Sequence, residues 1–303
     1  MTAGEQALAA RVEQALASPV MPEATAFASR LGLAAGALAV LFYGSNLRTG
    51  STEGVLDFYV LLDGPVETGI WPRVSYHEWV LGQTPLRAKV ATMALATFRA
   101  AAAGDLIDTT IWARFVQPSA VAWLHDAAAG AAVAQAVSGA AITAARLAVA
   151  LGPAAATAED FWRCLFRATY AAEFRVEKAG REDSILAVNR EHFAGLLPLA
   201  LAAGGIAFTS EGETIRPALA PDDRARTLRW WRKRRRLGKA YNLMRLVRAT
   251  ATFDGAARYA AWKIERHTGV NVPLTPWRER HPILAAPGVL WRVWRARRKG
   301  AAR

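Results

Sequence analysis

Two apolar runs separated by a turn dominate the first fifth of the chain. The run ending at Phe42 and Tyr43 stops abruptly at Gly44-Ser45, and the chain turns apolar again over VLDFYVLL, residues 55–62. The first run is long enough for a buried strand or a helix end, and the second reads as a strand interrupted by Asp57. Strand alternation sets Asp57 on one face with Val55 and Tyr59, with Leu56, Phe58 and Val60 on the other. Ahead of this pair, Ala, Leu and Val recur at helical spacing over residues 1–27, which predicts an amphipathic helix covering the sheet. Residues 73–118 read as a loop bearing Trp and His, a largely apolar segment at 89–99, and then short strands or helices.

The pattern changes after residue 118. Residues 127–145 carry no charge over 19 positions, the minimum for a membrane span. Their Ala, Gly, Val and Ser content, with Gln135 in the middle, favours a tightly packed Ala-rich helix pair instead. Residues 193–208 are shorter and are broken by Pro198 and Gly204-Gly205, so they read as a core element. Phe161, Trp162, Leu165, Phe166 and Tyr170 recur at helical spacing and predict a second, mainly helical unit.

Composition adds bounds. With 53% hydrophobic residues, a chain of 303 supplies one large core or two modest ones. A single cysteine, Cys164, excludes an intramolecular disulfide framework, and the five histidines lack metal-ligand spacing. Glu5, Glu13 and Glu23 argue against a secretory signal or an organelle presequence, so a cytoplasmic protein is expected.

Charge changes the picture most. Residues 224–303 hold 22 Lys or Arg against three acids, Asp254, Glu265 and Glu279, whereas residues 1–223 hold 16 against 22. Such asymmetry points to a polyanionic partner. Trp230-Trp231 beside residues 232–236, and the terminal PGVLWRVWRARRKG, join tryptophans to arginines in short helical stretches. Trp291 and Trp294 can enter an interface while Arg292 and Arg295 meet lipid phosphates, each basic residue contributing about 1 kcal/mol near an anionic leaflet. The same residues suit RNA through charge and stacking, or a tail whose tryptophans pack on the body. Residues 262–282, with Pro273, Pro276 and Pro282, read as a segment wrapping around that body.

Candidate chemistry concentrates in residues 41–63. Gly44 allows a tight turn and close approach to a ligand, Ser45 adds a hydroxyl, and donors at such a turn can converge on a triphosphate. A carboxylate in the apolar strand, Asp57, is costly unless it holds a divalent cation such as Mg²⁺. This is the pattern of a nucleotidyltransferase core, although polymerase-like enzymes carry a second acid two residues on, where this chain has Tyr59. Asp63 lies six residues along, about 20 Å of straight strand, and would help only if the strand ended or bent first. The bland alternative is a hairpin with Gly44, Gly50 and Gly54 as turn residues and Asp57 at a solvated edge.

Several ordered motifs resemble the mitochondrial-type phosphatidate cytidylyltransferases, the CDP-diacylglycerol synthases of the translocator-maintenance family. Tyr43-Gly44-Ser45, Leu56-Asp57-Phe58, Asp63 and Pro65 match that family's first motifs. Lys89-Val90, Arg114 with Pro118, and Tyr170, Phe174 and Arg175 match later ones, so that the resemblance spans residues 41–193. The family's Tyr-Tyr-Asn segment has no counterpart near residues 80–86, and its Trp-His pair is out of register, with Trp71 and His77 nearby.

The resemblance implies an α+β protein: a polymerase-β-like nucleotidyltransferase domain at 1–155, a helical, winged-helix-like domain at 156–223, and a basic C-terminal region at 224–303. It implies Mg²⁺-dependent cytidylyl transfer from CTP to phosphatidic acid at the inner face of a bacterial membrane, as a step of phospholipid synthesis. Asp57, Arg114 and Arg175 would act in catalysis, and Tyr43, Gly44, Ser45, Lys89 and Tyr170 would hold nucleotide. Asp57, with Asp63, would hold the metal. Two alternatives stay open: another lipid, small-molecule or protein acceptor, or a catalytically degenerate module binding RNA or membrane.

Overall fold

The computed structural model describes residues 2–172, 181–252, 255–280 and 282–300. Helices α1 (Ala3–Leu16) and α2 (Pro22–Ala35) precede β1 (Ala37–Tyr43), the single-turn α3 (Ser45–Thr49) and β2 (Leu56–Leu62). The edge strand β3 (Arg73–Leu81) leads into β4 (Thr84–Ala94), α4 (Leu95–Ala102), α5 (Thr110–Phe115) and β5 (Ser119–Leu124). These strands form one mixed sheet in the order β3-β4-β2-β1-β5, in which β2 and β4 run parallel and the remaining neighbours antiparallel.

The rest of the chain is mainly helical. The long α6 (Ala127–Leu151) is followed by β6 (Ala156–Thr157), α7 (Ala158–Ala172), α8 (Arg181–Val188), α9 (Arg190–Phe193) and α10 (Leu196–Ala203). Strands β7 (Phe208–Glu211) and β8 (Thr214–Pro217) complete a small sheet ordered β6-β8-β7. The basic region forms α11 (Pro221–Thr252), α12 (Ala256–Thr268), α13 (Pro276–Arg280) and α14 (Pro282–Gly300). The α+β class expected from the sequence is therefore present.

The alternating runs bury both faces of the large sheet. Phe27, Ala28 and Leu31 of α2 cover Val40, Phe42, Phe58 and Val60. On the other face Leu41, Tyr59 and Leu61 join α4, α5 and α6 in a core that continues without interruption to Phe161, Phe166 and Leu201.

Four expectations require correction. The N-terminal stretch forms two helices, because Pro22 opens a new one and Thr2 and Glu5 build a reciprocal cap on the first. Of these, α2 covers the sheet, while α1 packs mainly on α10 and α6. The expected Trp- and His-bearing loop is the nine-residue β3. It pairs with β4 along its whole length, and as an edge strand it exposes polar residues that blur the alternation.

The Ala-rich stretch is one continuous helix rather than a pair. It is long and apolar enough to cross a membrane, yet it is mostly buried against α1, α4, α5, α7, α10 and α11, whose close approach its small side chains permit. Residues 221–252 likewise form one 32-residue helix instead of short stretches. Trp231 and Arg234 of that helix are buried against the body, so this part of the basic region is a structural element, not an interfacial one.

Candidate active site

One row of in-register residues crosses the end of the large sheet: Ser119 of β5, Tyr43 of β1, Asp57 of β2, Lys89 of β4 and Tyr76 of β3. Register partners project to the same face, here the face that carries Tyr59 and Leu61 beneath α5. Asp57 thus sits in a central strand rather than at a solvated edge, with Tyr43 on one side and Lys89 on the other.

Gly44 follows β1 with φ +90° and ψ −166°, a conformation open essentially to glycine alone. A Cβ there would stand 3.3 Å from the Asp57 Oδ2, so carboxylate and turn backbone are neighbours. Ser45 opens α3 directly afterwards. Behind the turn, buried Asn46 donates from Nδ2 to the carbonyls of Ser51 at 2.7 Å and Glu53 at 2.9 Å, which fixes the loop leading into β2.

Arg114 reaches the same place from α5. Its Nη1 donates to the Tyr59 hydroxyl at 2.8 Å, and its guanidinium lies 5.1 Å from the Tyr43 ring and 5.7 Å from the Tyr59 ring. Both rings rest on Phe115, at 5.9 and 5.1 Å, which limits their freedom. The first turn of the helix is held in place by two sets of contacts. Asp108 accepts the Ile111 N–H and the Thr110 hydroxyl, and Trp112 packs between Trp230 and Trp231 of α11. Arg234 of α11 donates to the Gly104 and Leu106 carbonyls, pinning the loop before α5, and burial lowers its pKa to about 10.

Burial raises the pKa of Asp57, and the positive charges of Lys89 and Arg114 offset only part of that rise. The result is one carboxylate facing two cations over a glycine turn, a donor set that can grip a polyphosphate. Mg²⁺ is commonly bound through one or two carboxylates together with substrate phosphates. Asp57 fits a cation that arrives with a nucleotide on those terms. No group of three metal-ligating side chains occurs among the described residues.

The remaining predicted residues fall elsewhere. Asp63 lies past the far end of β2, about 20 Å from Asp57 by strand rise, and its Oδ1 accepts from the Gly64 N–H at 2.8 Å. Straight strand therefore separates it from any cation at Asp57. Tyr170 is half-buried on α7 against the helical core. Arg175 lies outside the described residues. Trp291 and Trp294 on α14 are exposed at 58% and 51%, beside exposed Arg292 and Arg295, with the Arg295 guanidinium 5.1 Å from the Trp291 ring.

Sequence reasoning missed Tyr59 as the anchor of Arg114, Ser119 and Tyr76 as members of the row, and α12 as a neighbour of the site. At the Ser119 end the row meets a cleft of about 480 Å³ lined by Arg11, Arg48, Pro118, Asn189 and His192. Arg11 there donates to the Glu191 and His192 carbonyls, burial lowers the His192 pKa, and the His192 Nε2 lies 2.9 Å from the Val116 carbonyl. No protein-family model matches the chain, and no curated protein matches it.

Proposed function

We propose that the protein is a nucleotidyltransferase that moves the cytidylyl group of CTP onto the phosphate of phosphatidic acid, giving CDP-diacylglycerol and pyrophosphate. The observation that carries this reading is the meeting of the Gly44-Ser45 turn, the Asp57 carboxylate, Lys89 and Arg114 at one end of the sheet. The large sheet is then the core of a polymerase-β-like domain, and the helical unit with its β6-β8-β7 sheet is a winged-helix-like partner that closes over nucleotide.

In the reaction an acceptor phosphate oxygen attacks the α-phosphorus, and the bond to the bridging oxygen of the β-phosphate breaks. The acceptor is already an anion, so no side chain must remove a proton. Positioning and charge neutralisation supply the rate. Backbone groups at Gly44 and the Ser45 hydroxyl hold terminal phosphates. Lys89 and Arg114 neutralise the charge that builds between nucleotide and acceptor, and the Tyr59 hydroxyl keeps Arg114 aimed. A Mg²⁺ bound with the nucleotide would be held by Asp57 and would stabilise the leaving pyrophosphate. The exposed Trp and Arg residues of α14 attach the enzyme reversibly to an anionic leaflet, so that a water-soluble site reaches a lipid headgroup.

Tyr59 favours a second reading as well. It stands where a second acid would be expected, as in a module that binds nucleotide, RNA or membrane without turnover, or in a transferase acting on a different acceptor. Pyrophosphate release with each of CTP, ATP, GTP and UTP, with Mg²⁺ and with or without phosphatidic acid vesicles, separates these readings. Release that needs both CTP and the lipid supports the proposal. Release that is independent of lipid moves the acceptor elsewhere, and no release with any nucleotide removes the enzyme assignment.

A further inference from the structure

Helix α12 lies against β3 close to the row that holds Asp57. Gly255, which precedes the helix with φ +78°, sits so near that a Cβ would come within 2.7 Å of the Tyr76 carbonyl oxygen. The Tyr259 ring packs on the Tyr76 ring at 5.5 Å, and Tyr76 is the register partner of Lys89. One turn on, the Trp262 ring carries two guanidiniums over it, Arg87 of β4 at 5.5 Å and Arg266 of α12 at 5.3 Å. Arg87 is held by Glu78 at 3.6 Å. The Arg266 Nη1 stands 3.1 Å from where a Cβ on Gly54 would be, three residues before Asp57 in sequence.

The site therefore has two cationic walls. Arg114 stands over Tyr43 and Tyr59 on the α5 side, and on α12 Arg266 lies against Gly54 while the Lys263 Nζ is 5.7 Å from the Tyr259 ring. Both α12 cations are exposed, and neither pairs with a carboxylate among the described residues. A transferase needs two anion sites, one for each substrate. The Gly44 turn and Arg114 already account for the nucleotide.

We propose that α12 forms the acceptor side of the site, with Arg266 and Lys263 binding a phosphate monoester beside Asp57. This rests on the transferase reading for its catalytic meaning, though not for the binding itself. The guanidinium, braced on the Trp262 ring, offers a fixed fork to two phosphate oxygens, and Lys263 adds a point charge. Because α12 leads through α13 to α14, the acceptor wall belongs to the same basic region that carries the exposed tryptophans, which suits a phosphate presented at a surface.

Calorimetric titration of the full chain tests this with two probes, glycerol 3-phosphate and the short-chain dihexanoylphosphatidic acid, beside a CTP–Mg²⁺ titration. Arg266→Ala is expected to weaken both monoesters about tenfold, the size of one lost charge-assisted contact, with smaller loss for Lys263→Ala and CTP affinity within twofold of wild type. A lipid source of the phosphate predicts tighter binding of dihexanoylphosphatidic acid, and a soluble source predicts equal binding. Unchanged monoester affinity in both variants, or no monoester binding by wild type, would overturn the assignment, as would equal loss of CTP. Lys263 is exposed and solvated, so its variant keeps the test valid if Arg266→Ala does not fold. Arg266-dependent binding without turnover would sink the transferase reading alone, whereas turnover with an unaltered acceptor KM in both variants would sink this inference alone.

Discussion

Arg114 donates from Nη1 to the Tyr59 hydroxyl at 2.8 Å, across 55 positions of sequence, and the bond orients a cation over the row that contains Asp57. Tyr59→Phe keeps the buried ring and its packing on Phe115 but deletes the acceptor. A hydrogen bond to a charged group contributes about 1.5–3 kcal/mol to stability, so the melting temperature should fall by a corresponding amount, and pyrophosphate release, measured where both proteins are folded, should fall roughly tenfold or more as Arg114 loses its anchor. Steady-state kinetics beside a thermal melt checks the split between rate and stability.

Asp57 should oppose folding in the absence of ligand. Its folded-state pKa is raised by burial, so the carboxylate form is destabilising. The penalty is absent below the unfolded pKa, appears as pH rises through it, and is complete above the raised folded value. Asp57→Asn should therefore melt higher than wild type at pH 7–8, with the difference vanishing near pH 3–4, within the ordinary range for an unfolded Asp. The same variant should lose catalysis by more than about 1000-fold and lose stabilisation by CTP–Mg²⁺. Melting curves across pH, with and without nucleotide, read both effects.

Much of this site was legible in residues 41–63, because the glycine turn and the acid in an apolar strand lie close together in sequence. The partners were less so. Lys89 meets Asp57 only because β4 returns parallel to β2, and that return depends on β3, whose polar edge pattern reads as loop. Arg234 is one of five consecutive basic residues, and nothing in that run marks it as the one buried against the loop before α5. Tyr59 read as a missing acid, because its tie to Arg114 exists only after folding. The Ala-rich stretch read as two helices, though no turn residue interrupts it other than glycines that the packed helix tolerates.

Gly44→Ala should be costly twice. The backbone conformation is strained for any residue with a Cβ, by about 1–3 kcal/mol, and the new methyl would crowd the Asp57 carboxylate at 3.3 Å. Urea unfolding is expected to show that loss, and equilibrium dialysis to show weaker CTP binding.

Arg234→Met removes donors from the Gly104 and Leu106 carbonyls. Loss of these partly buried, charge-assisted bonds should destabilise the protein by about 2–4 kcal/mol and loosen the loop before α5. Activity should fall with unchanged CTP affinity, as measured by kcat against KM at a temperature where both proteins are folded.

On α14, replacing Arg292 and Arg295 together by Ala should weaken binding to anionic vesicles by about 2 kcal/mol, near 30-fold. Flotation with vesicles containing phosphatidic acid, repeated at high salt, checks it: binding that ignores both the substitutions and the salt would point away from electrostatic attachment.

The central claim is tested most directly by incubating purified protein with CTP labelled at the α-phosphate, Mg²⁺ and phosphatidic acid vesicles, then following label into organic-extractable lipid. The account predicts that wild type transfers label to CDP-diacylglycerol while Asp57→Asn does not. Transfer that survives in Asp57→Asn, or wild type that leaves all label in water while binding CTP, would contradict it.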